Sequence, residues 1–140
     1  MAVRGFATFD AQFSQDPVVV DGEEQPPGRE LMECLVAGLK QLGLRCTEVA
    51  QHDAYGWYSE VGVGDKTIWC MLQLSDNWML ISRPLTSLLK RLFTKDVAEQ
   101  EHQRVCEQIA SVLRHDPRVS NVRWFTEQEL HSGATGEAHP

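Results

Sequence analysis

His102 and Cys106 stand four residues apart in a stretch with helical periodicity, so their side chains can meet on one face. A thiol beside an imidazole is the arrangement that makes a thiolate nucleophile and its base. The same pair supplies two of the four ligands that zinc needs. Neither chemistry is completed nearby. The chain has no CxxC, and Cys34, Cys46, Cys70 and His115 can reach the pair only through tertiary folding. No third group orients the histidine and no recognisable oxyanion site accompanies the thiol. The expectation is a half-exposed histidine beside a core cysteine, with no catalytic residue, no metal and no cofactor.

His52-Asp53, just before Tyr55-Gly56, has the composition of an acid–base pair at a strand end. The same residues also make an ordinary polar loop, in which aspartate hydrogen-bonds its own backbone, and that reading is preferred. The glycines at 62 and 64 form no nucleotide fingerprint, and neither GK[ST] nor G-x-S-x-G occurs. What remains is a recognition surface. Tyr55, Trp57, Tyr58, Trp69 and Trp78 form an aromatic group, and Trp and Tyr are enriched where interfaces concentrate their energy. The alternative is plain sheet packing, which aromatics also favour. Tyr58 and Glu60 oppose the Trp57/Val61/Val63 face and are the best exposed candidates. With Asp53 and Tyr55 they make the expected partner-binding set.

The elements that must position these residues centre on Tyr55 to Arg83. Turns at Gly64-Asp65-Lys66 and Ser75-Asp76-Asn77 divide this stretch into three strands, an antiparallel meander. Ile68, Cys70, Leu72 and Leu74 share one face of the middle strand, and Trp69 and Met71 the other. Both faces therefore need cover, from the C-terminal helices or from another chain. Upstream, a strand is predicted from Arg4 to Phe9 and a short one at Val18–Val20. Leu31, Leu35, Leu39 and Leu42, widened by Met32 and Val36, predict an amphipathic helix ending at Gly43. Arg45 to Gln51 predicts another strand. Downstream, Pro84 predicts a helix start, with Leu85, Leu88, Leu89, Leu92 and Phe93 as its apolar face and Lys90 and Arg91 near its end. Asp96 and Glu99 have capping-box spacing for a further helix, with Val105, Ile109, Val112 and Leu113 buried. Val119 to Phe125 is a last strand, at an edge or beside the first. Clustered strands make the fold class α+β, a largely antiparallel sheet in the order β-α-β-β-β-β-α-α-β with helices packed on it. Residues 1–130 form one domain, and 131–140 a disordered tail.

A length of 140 residues suits one domain with a core of its own. No apolar run reaches the ~18 residues of a membrane span, and Met1 to Phe6 lacks the apolar stretch of a secretory leader. The four cysteines sit in apolar patterns, as reduced thiols do, which predicts a cytoplasmic protein, with two disulfides the alternative that an even count allows. The net charge of −7 is unevenly spread: residues 1–82 carry 5 Lys/Arg and 12 Asp/Glu, residues 83–125 carry 8 and 5, and residues 126–140 carry 0 and 3. That balance lacks the basic footprint of a nucleic-acid binder and favours encounter with a cationic protein. The run Asp21-Gly22-Glu23-Glu24, followed by Glu30 and Glu33, has the same sign; it reads as a solvated loop or as a docking surface for a basic partner.

Pro26-Pro27-Gly28-Arg29-Glu30-Leu31, His52-Asp53-Ala54-Tyr55-Gly56-Trp57 and Val122-Arg123-Trp124 together resemble small bacterial proteins of uncharacterised role. In size, charge and layout the chain also resembles the immunity proteins that neutralise bacterial toxins, a likeness that carries over no motif. The resemblance implies a non-enzymatic module that occludes a cationic toxin or effector domain, with charge speeding the encounter. The alternatives are a self-associating accessory domain, which the two-sided middle strand would explain as a homodimer, and a small ligand-binding protein with a pocket between sheet and helices.

Overall fold

The computed structural model describes residues 3–85 and 99–140. The protein is α+β, built on one mainly antiparallel sheet. Its strands are β1 (Phe6–Ala11), β4 (Arg45–Cys46), β5 (Ala50–His52), β6 (Gly56–Val63), β7 (Lys66–Leu74), β8 (Trp78–Leu85) and β9 (Val119–Phe125). Across the sheet they run β4-β6-β7-β8-β1-β9, with β5 also paired to β6. The helices are α1 (Arg29–Gln41), α2 (Glu99–His115) and the short α3 (Glu127–His131). A separate hairpin joins β2 (Val18–Val20) to β3 (Glu23–Gln25). Its two-residue turn is Asp21-Gly22, both at positive φ, the conformation that suits a tight hairpin. No helix among the described residues is long and apolar enough to cross a membrane.

The meander forms as its pattern predicts. Tyr58 lies opposite Met71 and Glu60 opposite Trp69, while Trp57, Ser59 and Val61 lie opposite Leu72, Cys70 and Ile68. On the other side of β7, Trp69 pairs with Arg83, Met71 with Ile81, Cys70 with Ser82 and Leu72 with Leu80. The pleat therefore sends Trp57, Val61, Ile68, Cys70, Leu72, Trp78 and Leu80 inward, where all are buried. Leu31, Met32, Leu35, Val36 and Leu39 of α1 and Val105, Cys106, Ile109 and Leu113 of α2 pack on that inner face as one core. The two helices touch where Gly38 meets Val112. A Cβ at position 38 would stand 2.7 Å from a Val112 methyl.

Several expectations are corrected. The first strand begins at Phe6 and runs to Ala11. The strand expected over Arg45 to Gln51 is split, because Thr47 turns its hydroxyl to the sheet and accepts the Glu60 N–H at 2.8 Å. Between Cys46↔Val61 and Ala50↔Tyr58 one extra residue is inserted, a bulge. Pro84 does not open a helix. It continues β8 opposite Ile68, at an end where β1 no longer pairs and the missing N–H costs nothing. Leu88, Leu89, Lys90, Arg91, Leu92, Phe93 and Asp96 lie outside the described residues. Leu42, expected in the buried stripe, is the C-cap of α1 and 47% exposed.

β9 pairs with β1, Phe6 opposite Phe125 and Thr8 opposite Arg123. It is followed by α3, whose capping box joins Thr126 and Glu129. The Thr126 N–H and the Arg4 guanidinium hold the Glu129 carboxyl below the usual range. The tail after His131, expected to be disordered, is placed against β9. Trp124 and Glu137 exchange backbone hydrogen bonds at 2.7 and 2.9 Å, and Gly136 sits against the Phe125 ring.

Gly56 starts β6 where β7 comes closest. A Cβ there would stand 2.0 Å from the Leu72 carbonyl oxygen, an atom the sheet holds fixed. Gly56→Ala is expected to cost about 3 kcal/mol of stability, read as a lower urea midpoint. An unchanged midpoint would mean that β6 and β7 are not paired in this register.

Candidate functional site

Two groups of side chains have the composition of a functional site, one on each face of the sheet. The inner one is the His102/Cys106 pair. Its immediate partner is Ser82, on the inward side of β8. The Ser82 Oγ lies 2.9 Å from the Gly5 carbonyl, 2.8 Å from His102 Nε2 and 3.3 Å from Cys106 Sγ. A hydroxyl has one proton, and a carbonyl can only accept. The Ser82 hydroxyl donates to the Gly5 carbonyl and also meets His102 Nε2 and the Cys106 thiol, so the three side chains are closed on one another. Burial pushes the Cys106 thiol up to about 12, and pushes Cys70, its neighbour in the core, well above its ordinary value. Burial also lowers His102, partly opposed by a hydrogen bond to the Ser82 backbone. The histidine expected to be half-exposed is 8% exposed. Gly5 is required here, since a Cβ would meet the imidazole and the Ser82 carbonyl at 2.8 Å. The pair is a knot tying α2 to the start of β1 and to β8. Among the described residues no three His, Cys, Asp or Glu side chains are placed to hold a metal ion.

The outer group lies on the face that α1 and α2 leave. The His52 ring stands edge-on to Tyr58 at 5.8 Å and to Trp69 at 5.5 Å between centroids, and Tyr58 and Trp69 are 6.2 Å apart. Tyr55, in the turn after β5, is 6.3 Å from His52 and 65% exposed. Asp53 occupies that turn at φ 47, in the left-handed region that aspartate tolerates, and its carbonyl accepts from the Gln51 side chain at 2.6 Å. Glu60 is on the same face as Tyr58, beside Trp69. Arg45 lies over Gly62, at the next position along β6 on that face. The four expected contact residues thus fall at one corner of the sheet. Asp53 and Tyr55 are at its rim, and Tyr58 and Glu60 on its face. His52 and Trp69 complete the group and were not in the expected set. The alternation of β7 placed Trp69 opposite the inward residues, but only the pairing of β5 with β6 brings His52 to it.

A groove of about 630 Å³ lies elsewhere, at the C-terminal ends of α1 and α2 between Gly38, Leu42, Val112, His115 and Arg118. The Arg118 guanidinium is paired with Asp116 at 2.9 Å and stacked 4.2 Å from the Phe13 ring. That pairing holds the Asp116 carboxyl below its ordinary value. The groove's charged groups thus satisfy one another and do not converge on its interior.

Compared with known proteins, the chain matches no family model, no curated protein and no solved structure.

The inner knot predicts two measurements. A thiol reagent should label Cys34 and Cys46 in the folded protein and reach Cys70 and Cys106 only on unfolding, since the latter pair is fully buried. Labelling of all four at one rate would contradict the knot. His102 is held neutral with a lowered folded-state value, so the unfolded chain takes up its proton first. The stability contribution is complete above the ordinary histidine value of about 6.5 and declines as pH falls below it. His102→Gln should flatten that part of a pH series of urea midpoints. A series unchanged by the substitution would mean that His102 is not buried as described.

Proposed function

We propose that the chain is a non-enzymatic protein-binding module. Its concrete form would be an immunity-type inhibitor that covers a cationic toxin or effector domain. The observation that carries the reading is the outer corner. The clustered rings of His52, Tyr58 and Trp69, His52 edge-on to the other two, with Tyr55 exposed beside them, are flanked by Asp53 and Glu60. Aromatics with few rotatable bonds make low-entropy contacts, and the acids set the sign of the partner. The charge distribution agrees, since the first 82 residues hold 12 of the 20 acids and 5 of the 13 cations. The histidine, serine and cysteine that could have done bond-making chemistry are tied to one another in the core. Such a module acts by occlusion, so affinity rests on the rings and encounter rate on the acids.

Affinity capture from the source cells with the full chain tests this. The expected result is a basic protein that is lost in a Tyr58→Ala/Asp53→Lys variant, released by added salt, and harmful when expressed without this chain. Recovery of acidic proteins only, or of the same proteins by the variant, would overturn the reading.

A further inference from the structure

One part of the fold stands apart from the main sheet. β2 and β3 pair only with each other among the described residues, so each strand has a free outer edge. Six large apolar side chains are exposed among the described residues, and three of them are consecutive: Val18, Val19 and Val20, with Val19 at 68%. The two-residue turn at Asp21-Gly22 decides which backbone groups are free. It makes Val20 and Glu23 one hydrogen-bonded pair, and Val18 and Gln25 the next. The N–H and C=O of Val19 therefore point away from β3. Val18 and Val20 share one face and line a groove of about 240 Å³ against the start of α1, with Trp57, Asp16 and Glu30. Arg29, the cation in that lining, is held by Glu33 at 2.9 Å and lies over the Trp57 ring at 5.4 Å. Asp16, Asp21, Glu23, Glu24 and Glu30 have no ion-pair partner among the described residues.

We propose that the free edge of β2 takes an extended basic segment of another protein as an antiparallel third strand, with a lysine or arginine side chain in the groove. A strand added beside Val19 exchanges two backbone hydrogen bonds with it and sends alternate side chains to opposite faces. On the groove face, the stem of a long cation lies along Val18 and Val20, and its head meets the carboxylates of Asp16 and Glu30. On the other face, an apolar side chain lies beside Val19. The groove is smaller than a drug-sized site and suits one long side chain. The charges exclude a second copy of this chain as the occupant. Two β2 edges paired about Val19 would set Asp21 of each copy beside Pro17 and Asp16 of the other, and two β3 edges would set Glu24 on Glu24. The acids that forbid self-pairing select a cation. Pro17 and the turn bound the edge, so the pairing is short and charge carries much of the affinity. Binding is therefore weak and salt-dependent. This surface is separate from the outer corner, and the inference does not depend on it.

The test uses the full chain and the peptide acetyl-Lys-Val-Lys-Val-Lys-Val-Lys-amide, followed by amide NMR shifts and calorimetry. The expected result is saturable binding that shifts the Val18, Val19 and Val20 amides and weakens as salt is added. Asp16→Asn/Glu30→Gln should weaken it at least ~10-fold, about 1.4 kcal/mol. N-methylation of the peptide's valines, whose donors face Val19, should do the same, and N-methylation of its inner lysines should not. Spermine, a cation of the same charge without a backbone, should not displace the peptide. Glu107→Lys on α2 and Tyr58→Ala at the outer corner should change nothing, and the latter separates failure here from failure of the corner. Urea midpoints of all variants confirm that each is folded. No saturable binding, equal binding of the valine-methylated peptide, displacement by spermine, or a bound peptide that leaves the three valine amides unmoved would overturn the proposal.

Discussion

The pleat of β7 is the constraint on which the rest depends. This strand is paired along its length on both sides, to β6 and to β8. Ile68, Cys70 and Leu72 therefore go to one face, and Trp69 and Met71 to the other. A one-residue slip against either neighbour would exchange the two sets. The inner set is matched to the leucines of α1 and to Val105 and Ile109 of α2, so the register is fixed by what the helices bury. The outer set follows without choice. Trp69 is presented beside Tyr58 and His52 because Cys70 must be inside, against Ser82.

Much of this was legible in the chain because short-range rules decide it. The 3.6-residue spacing of Leu31, Leu35 and Leu39, the turn residues at Gly64-Asp65 and the alternation through Ile68–Leu74 each name their element. What was not legible depends on contacts distant in sequence. Pro84 has the local signature of a helix start, yet it continues β8 because β1 ends its pairing at Phe6 and leaves that side free. Thr47 interrupts its strand because its hydroxyl finds Glu60, thirteen residues on. Helix α3 carries its signal openly in Thr126 and Glu129, but five residues give no hydrophobic period to read.

The same division holds for the candidate site. Tyr58 and Glu60 share a face by alternation alone, and that face proved to be the one opposite α1 and α2. His52 was read against Asp53, its neighbour in sequence, and its ring contacts are with Tyr58 and Trp69. For His102 and Cys106 the helical spacing was right, but the residue that decides their chemistry is Ser82, on another element. A serine supplied from β8 fastens that pair between helix and sheet.

An account in which the working surface is the outer face stands on whether Trp69 meets solvent. The four indole N–H signals, measured in dilute solution with and without a soluble paramagnetic chelate, answer this directly. Trp78 and Trp124 are fully buried, and Trp57 donates to the Pro26 carbonyl at 2.9 Å. The account predicts strong broadening of the Trp69 signal alone. A Trp69 signal as protected as that of Trp78 would contradict it.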